Sequence, residues 1–133
     1  MALAALDHIN IRTARLGVLT DFYARVLGLQ PGKRPPFESG GAWLYCGDRA
    51  AVHLVEVSES PEVPAPRIEH FAFSAENLTE FLAHLREFDV AYQTNIVPDL
   101  EIRQVNVRDP DGNHIEIAFG PTEEADLSDY PGG

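Results

Sequence analysis

The sequence predicts an α+β fold of two βαβββ modules, whose curved mixed sheets form an open cup. Three observations support this prediction: an internal repeat, one helical stretch in each half, and short strand-like runs separated by turn residues. The repeat starts with LDHINIRT at Leu6 and IEHFAFSA at Ile68, which share an apolar, acidic, histidine, apolar order and then alternate. Alternation over runs of this length is typical of β-strands.

A helical stretch follows the first strand of each half. The stretch from Leu16 to Leu27 places apolar residues at three- and four-residue spacing, so that one side of the helix is apolar. Gly28 follows, where a helix commonly ends in a left-handed residue. The stretch from Leu78 to Phe88 has the same periodicity. Each half therefore begins with a strand and a helix.

Three shorter strand-like runs complete each half. Gly47-Asp48 precedes the last run of the first half, and Asp109-Pro110-Asp111-Gly112 precedes the last run of the second, and both are turn sequences. In the first half, the runs are a variable stretch through Arg34 and Phe37, then AWLYC, and then AAVHLVEV from Ala50. In the second half, they are VAYQTNIV from Val90, then IRQVNVR, and then HIEIAF from His114.

The predicted organisation has four parts. Residues 1–57 form the first module, 58–67 a proline-rich linker, 68–119 the second module, and 120–133 an acidic tail. The linker contains three prolines and has no apolar periodicity. The tail is rich in glycine, proline and acidic residues, so we expect it to be poorly ordered or draped over the surface.

The composition excludes several classes of partner and site. Ten basic and 21 acidic residues give the 133-residue chain a formal net charge of −11. Nucleic acids and anionic membranes need a basic surface, so neither is expected as a partner. The single cysteine, Cys46, excludes an internal disulfide and is expected to be packed. With no long apolar run and no secretory signal, a cytoplasmic location is expected.

Alternation also predicts which side chains enter the cup. Each sheet has one face under its helix, and the other face carries His8 and His53 in the first half and His70 and Glu116 in the second. These four ligand-type side chains occupy equivalent positions in the two halves. Imidazoles and a carboxylate together suit a borderline divalent metal ion. A buried glutamate beside histidines also requires a counter-charge such as a cation.

The chain resembles the vicinal oxygen chelate superfamily, which includes glyoxalase I, extradiol dioxygenases and bleomycin-resistance proteins. The matching pieces are LDHINI, DFYARVLGL, AVHLVEV, IEHFAF and RDPDGNHIEI. The resemblance implies paired βαβββ modules, one divalent metal ion per site (Zn, Fe, Mn, Ni or Co), and substrates that chelate it through vicinal oxygens. His8, His70 and Glu116 match the metal positions of most enzymatic members. His53 matches the fourth position, which is a glutamate in glyoxalase I.

Two interpretations of His53 are open: a fourth metal ligand, or a base or hydrogen-bond donor that lines the cleft. Glu116 or His53 is expected to move a proton during catalysis. His114 also alternates inward, but it directly follows a turn and is expected at the rim. Substrate-binding roles are assigned to polar and aromatic residues expected near the cleft, namely Asn10, Arg12, Arg34, Phe37, Trp43, Gln104 and Asn106.

The expected function is that of a divalent-metal-dependent enzyme, with isomerase- or lyase-like chemistry on a small chelating substrate. Because His53 replaces a glutamate, glyoxalase I itself is disfavoured. Extradiol ring cleavage and fosfomycin-type thiol transfer use similar ligand sets and are the enzymatic alternatives. A non-catalytic binding protein, like the bleomycin-resistance members, is the alternative of another class. Short members of the superfamily pair modules across two chains, so a homodimer with equivalent sites is also expected.

Overall fold

A computed structural model describes residues 2 and 4–133, and both halves follow the predicted order of elements. The chain divides into two compact units, one ending at Pro64 and one starting at Ala65, which we call the first and second modules. The elements are β1 (Ile9–Thr13), α1 (Leu16–Asp21), β2 (Gln30–Gly32), β3 (Gly41–Cys46), β4 (Arg49–Glu56), β5 (Phe71–Ser74), α2 (Leu78–Glu87), β6 (Gln93–Ile96), β7 (Arg103–Arg108) and β8 (His114–Phe119). The α+β class and the βαβββ order are confirmed.

Each module contains one four-stranded mixed sheet, and the two sheets have equivalent strand orders. These orders are β1-β4-β3-β2 and β5-β8-β7-β6. The first strand of each module pairs in parallel with the last, while the other pairs are antiparallel. A parallel pair needs a crossover connection, and this one includes the helix. The last strand is therefore central in each sheet, with neighbours on both sides.

The register of the central strands matches between the modules. On β4, His53 lies opposite Asn10 of β1 and Trp43 of β3. On β8, Glu116 lies opposite Ala72 of β5 and Asn106 of β7. The repeat seen in the sequence thus extends to individual strand positions.

One face of each sheet is apolar and packs under its helix. In β8, Ile115, Ile117 and Phe119 are buried, and the residues between them are only half-buried. Phe81 of α2 contacts Phe119, with ring centroids 5.6 Å apart. In the first module α1 lies against β3 and β4. Within the part of the chain described here, neither helix has the length and apolar character required to cross a bilayer.

The first helix differs from the predicted 16–27 element in its second half. It continues beyond α1 as a π-helical turn at Phe22–Val26. The amide of Leu27 donates to the carbonyl of Phe22 at 3.3 Å, the five-residue spacing of a π-turn. Gly28 follows with φ +77°, in the left-handed conformation expected at this end.

Two predictions about local placement are wrong. Strand β2 covers only Gln30–Gly32, so Arg34 and Phe37 lie in the loop after it rather than in a strand. Cys46 is exposed at the end of β3, where the turn into β4 begins, and is not packed.

Residues 120–133 are the last part of the second module and bind the rest of it through hydrogen bonds. The Glu123 carboxylate accepts from the amides of Asn77 and Leu78 at 3.1 and 2.7 Å, which satisfies free amides at the start of α2. Tyr130 pairs with Tyr92 through two backbone hydrogen bonds of 2.9 and 3.0 Å. The tail is therefore draped over the surface, the second of the two expected arrangements.

Candidate functional site

Three aromatic rings form a stacked column on the polar face of the first module. The His8 and His53 rings lie 3.8 Å apart at 10°, and the His53 and Trp43 rings lie 4.0 Å apart at 13°. Trp43 reaches His53 because the two residues are direct cross-strand neighbours on β3 and β4. Both faces of His53 are covered, and only 7% of this residue is exposed.

The surroundings of His53 favour its neutral form. Its Nε2–H donates to the carbonyl of Ala50 at 3.0 Å, so the lone pair resides on Nδ1. Burial, followed by the neighbouring His8 charge, lowers the pKa of His53 below the ordinary histidine value. A neutral ring with a lone pair on Nδ1 can bind a metal ion or accept a proton. Both interpretations of His53 are therefore chemically allowed.

The lowered pKa of His53 predicts that the metal-free protein loses stability on acidification. As the pH falls below about 6.5 the unfolded chain takes up a proton at His53 more readily than the folded chain, so the free energy of unfolding decreases. His53→Gln removes this contribution. Urea unfolding in EDTA at pH 7.5 and 5.5 should show a smaller decrease for His53→Gln than for the wild type. Equal decreases would contradict the assignment.

Asp7 contacts His8 at the end of the ring column. Its carboxylate accepts from His8 Nδ1 at 2.7 Å, which leaves the lone pair of the neutral ring on Nε2. The hydrogen bond from His8 holds the pKa of Asp7 below its ordinary value. Arg49 lies 3.4 Å from the other carboxylate oxygen. Asp7 therefore selects the nitrogen that His8 can offer to a ligand.

A cavity of about 710 Å³ opens beside the ring column within the first module. Phe37 and Trp43 form its aromatic wall, with ring centroids 6.3 Å apart, and Asp7 and Arg49 contribute polar groups. The Arg34 guanidinium lies 5.0 Å from the Phe37 ring centroid. The cavity can accommodate a small molecule with an apolar part and a polar part.

The remaining substrate contacts predicted in the first module lie elsewhere. Asn10 and Arg12 are exposed on β1 and do not line this cavity, and neither does Arg34. The cavity wall instead includes Tyr45 and Asp48, to which the sequence analysis gave no ligand-binding role.

The second module carries a cluster of hydrogen-bonded ionisable groups at the equivalent place. His70 Nε2 lies 3.1 Å from Glu116 Oε2, and His70 Nδ1 lies 3.3 Å from Glu69 Oε2. The same Glu69 oxygen lies 2.5 Å from His114 Nδ1. Hydrogen bonds from His114 and then His70 hold the pKa of Glu69 below its ordinary value. His70 and Glu116, both predicted ligands, are thus direct neighbours.

Two amides of β7 bind members of this cluster. Gln104 Nε2 donates to Glu116 Oε2 at 3.3 Å, and Asn106 Oδ1 accepts from His114 Nε2 at 2.9 Å. The sequence predicts substrate-binding roles for Gln104 and Asn106. Both lie on the same face as the candidate ligands, where they orient the ionisable side chains.

The β7–β8 turn fixes the start of β8 and therefore His114. The buried Asp109 carboxylate accepts from the amides of Asp111 and Asn113, each at 2.9 Å, and from the Asn113 side chain at 2.8 Å. Gly112 has φ +90°, which strongly favours glycine. His114 follows directly, and its side chain is only 15% exposed. His114 thus lies at the start of β8, directly after the turn as expected, and is largely covered.

Three residues of these clusters had no predicted functional role: Asp7, Glu69 and His114. Asp7 and Glu69 are the acidic residues of the repeated apolar, acidic, histidine order, so the repeat itself was the available signal. The contact between Glu69 and His114 joins two segments that are distant in sequence, and no spacing rule predicts it.

Comparisons with known proteins agree with this architecture. The sequence model described as the Glyoxalase/Bleomycin resistance protein/Dioxygenase superfamily matches residues 5–117. "Glyoxylase I 4" of Arabidopsis thaliana is 30% identical over 125 residues, which cover 86% of this chain and 70% of that protein.

Two solved structures have the same fold. A glyoxalase family protein from Bacillus anthracis has a TM-score of 0.73 and 24% identity, covering 90% of this chain and 98% of that one. TnmS3, an antibiotic binding protein from a Streptomyces species, has a TM-score of 0.70 and 21% identity, with the same coverage of 90% and 98%. At these identities the structural likeness concerns the fold alone.

Proposed function

Because the chain belongs to the glyoxalase/bleomycin resistance protein/dioxygenase superfamily, we propose that it is a divalent-metal-dependent enzyme. Its substrate is a small molecule that chelates the metal through vicinal oxygens, and its chemistry is of the isomerase or lyase type. The name of the Arabidopsis relative favours this chemistry over extradiol ring cleavage and fosfomycin-type thiol transfer. We further propose that the protein is a cytoplasmic homodimer.

One observation carries the proposal: the two modules offer ligand-type side chains at equivalent positions. His8 and His53 come from the first module, and His70 and Glu116 from the second. Three imidazoles and a carboxylate suit Zn, Fe, Mn, Ni or Co. Asp7 leaves the lone pair of His8 on Nε2, and the Ala50 carbonyl leaves that of His53 on Nδ1. The two rings are stacked at 3.8 Å and 10°, so one of them would have to turn for both lone pairs to reach one ion. His70 Nε2 and Glu116 already lie 3.1 Å apart.

When bound, the ion would polarise a substrate oxygen and so lower the barrier to proton transfer. Glu116 or His53 is the residue that moves the proton. In the alternative in which His53 is a base and not the fourth ligand, its lowered pKa keeps Nδ1 unprotonated at neutral pH. Gln104 donates to Glu116 and limits its rotation.

Substrate recognition is proposed for the aromatic wall and the surrounding polar groups. Phe37 and Trp43 would cover the apolar part of the substrate and exclude water from it. Arg34 positions Phe37 by stacking on its ring. Asn10 and Arg12 remain candidates for contact with an exposed polar part of the substrate.

Metal content and turnover together test the proposal. Protein purified without chelator should contain about one ion per chain, and it should convert a hemithioacetal, a catechol, or an epoxide with a thiol. EDTA or Glu116→Gln should abolish the turnover, and added metal should restore only the EDTA-treated wild type. Glu87→Gln, which changes an exposed carboxylate at the end of α2, is the control.

A non-catalytic binding protein would give a different result. It would contain no stoichiometric metal, and Glu116→Gln would leave ligand binding unchanged. That outcome would favour the binding function over the enzyme.

A further inference from the structure

A chain of side-chain amides fixes which nitrogen of His114 carries its hydrogen. The Glu116 carboxylate can only accept, so Gln104 donates to it through Nε2 at 3.3 Å. Gln104 Oε1 then accepts from Asn95 Nδ2 at 2.7 Å, and Asn95 Oδ1 accepts from Asn106 Nδ2 at 2.9 Å. Asn106 Oδ1 is left to accept from His114 Nε2 at 2.9 Å. The neutral His114 ring therefore has its lone pair on Nδ1.

That lone pair faces a second acceptor. His114 Nδ1 lies 2.5 Å from Glu69 Oε2, and neither atom has a hydrogen to share when the ring is neutral. His70 repeats the arrangement: if its Nε2–H donates to Glu116 at 3.1 Å, its Nδ1 lone pair faces the same Glu69 oxygen at 3.3 Å. With both rings neutral in these tautomers, three acceptor atoms converge with no donor among them. A positive charge must lie between them, either as protons or as a cation.

We propose that Glu69, His70 and His114 bind a divalent cation of the zinc, cobalt or nickel class within the second module. Each of the three residues offers one ligand atom, and these atoms lie within 4.8 Å of one another. Nδ1 of His114 and Nδ1 of His70 lie 2.5 and 3.3 Å from the same Glu69 oxygen. Two imidazoles and one carboxylate are a common zinc ligand set, which leaves a coordination position for water. Glu69 is 69% exposed, so its side chain can rotate to widen the contact with His114 around an ion.

This site needs no residue of the first module, and it competes with the proposed catalytic set. The neutral His70 ring has one lone pair: on Nε2 it serves the catalytic set, and on Nδ1 it serves the second-module site. One His70 ring cannot serve both sites at once. A second ion at Glu69, His70 and His114 would take His70 from an ion held by the catalytic set, so excess metal is expected to inhibit.

Zinc titration of the full chain, in competition with a chromophoric chelator, tests the site. The His8→Ala/His53→Ala chain lacks two catalytic ligands but should still bind one zinc ion. Adding His114→Ala or Glu69→Gln should weaken this binding by more than about 100-fold, since even an outer-shell partner costs about 10- to 100-fold. Adding His84→Ala, a histidine of α2 outside the cluster, should leave the affinity unchanged. Glu69→Gln is a conservative change at an exposed residue, so it still tests the site if His114→Ala fails to fold.

The outcomes separate this site from the proposed function. If adding Glu69→Gln to the His8→Ala/His53→Ala chain does not weaken its zinc binding, the second-module site does not exist. If His114→Ala alone still binds one ion and loses it when His8→Ala is added, the catalytic set stands independently. If His8→Ala/His53→Ala binds zinc as tightly as the wild type, the second-module site is supported as the tighter of the two sites.

Discussion

His70→Ala is expected to weaken zinc or cobalt binding more than any other single substitution, by well over 100-fold, and to abolish metal-dependent turnover. This loss of affinity is larger than the loss of about 10- to 100-fold that follows removal of an outer-shell partner, because His70 is proposed as a direct ligand. Its Nε2 lies 3.1 Å from Glu116 and its Nδ1 lies 3.3 Å from Glu69. It is the only residue shared by the two proposed sites. Chelator competition on protein with unchanged far-UV circular dichroism measures the effect.

His84→Ala is the matched control for His70→Ala, because it removes a histidine of the same module from outside the cluster. It should bind metal as the wild type does. If His70→Ala also bound metal as tightly as the wild type, both metal proposals would be wrong. The cavity of the first module would then be the place to look for function.

Removal of residues 121–133 is expected to lower the free energy of unfolding by about 3 kcal/mol or more, since each lost hydrogen bond costs about 0.5–1.5 kcal/mol. Truncation removes the Glu123 carboxylate, which accepts from the amides of Asn77 and Leu78 at the start of α2. It also removes the Glu123 carbonyl, to which Arg103 Nε donates at 2.9 Å. It also uncovers the buried Tyr92, which contacts Tyr130 at 5.7 Å between ring centroids. Urea unfolding of the two chains measures the difference.

Two substitutions within the tail distinguish the stability contributed by the Glu123 cap from that contributed by the rest of the tail. Glu123→Ala removes the carboxylate that caps α2 and should cost about 1 kcal/mol. Glu124→Ala is the control, because Thr79 donates to the Glu124 backbone carbonyl, which the substitution retains. A truncated chain that unfolds at the same urea concentration as the full chain would show that the tail contributes nothing.

Strand periodicity explains why the sequence predicted so much of the backbone. The side chains of a strand alternate between two faces, so Ile115 and Ile117 place Glu116 on the opposite face without further information. The structure has this alternation in β8. The extent of β2 was harder to predict. Pro31, Pro35 and Pro36 lack amide donors, which disfavours extended strand pairing through Arg34 and Phe37.

The clusters depend on features that alternation does not describe. Glu69 and His70 are adjacent residues, and within a strand they would point to opposite faces. Both precede β5, which begins at Phe71, so the rule does not apply to them. Asp7 and His8 precede β1 in the same way. Each carboxylate–imidazole pair therefore lies just before a strand, where side chains need not alternate between faces. The contacts within each pair depend on the side-chain rotamers.

Trp43 is the only tryptophan of the chain, and its indole is stacked on His53 at 4.0 Å. Indole emission responds to the charge and rigidity of a ring in van der Waals contact. An ion, a proton or a small molecule arriving at His53 would thus alter the fluorescence of the whole protein. Trp43 is therefore an intrinsic fluorescent probe, and ligands can be screened without an added dye.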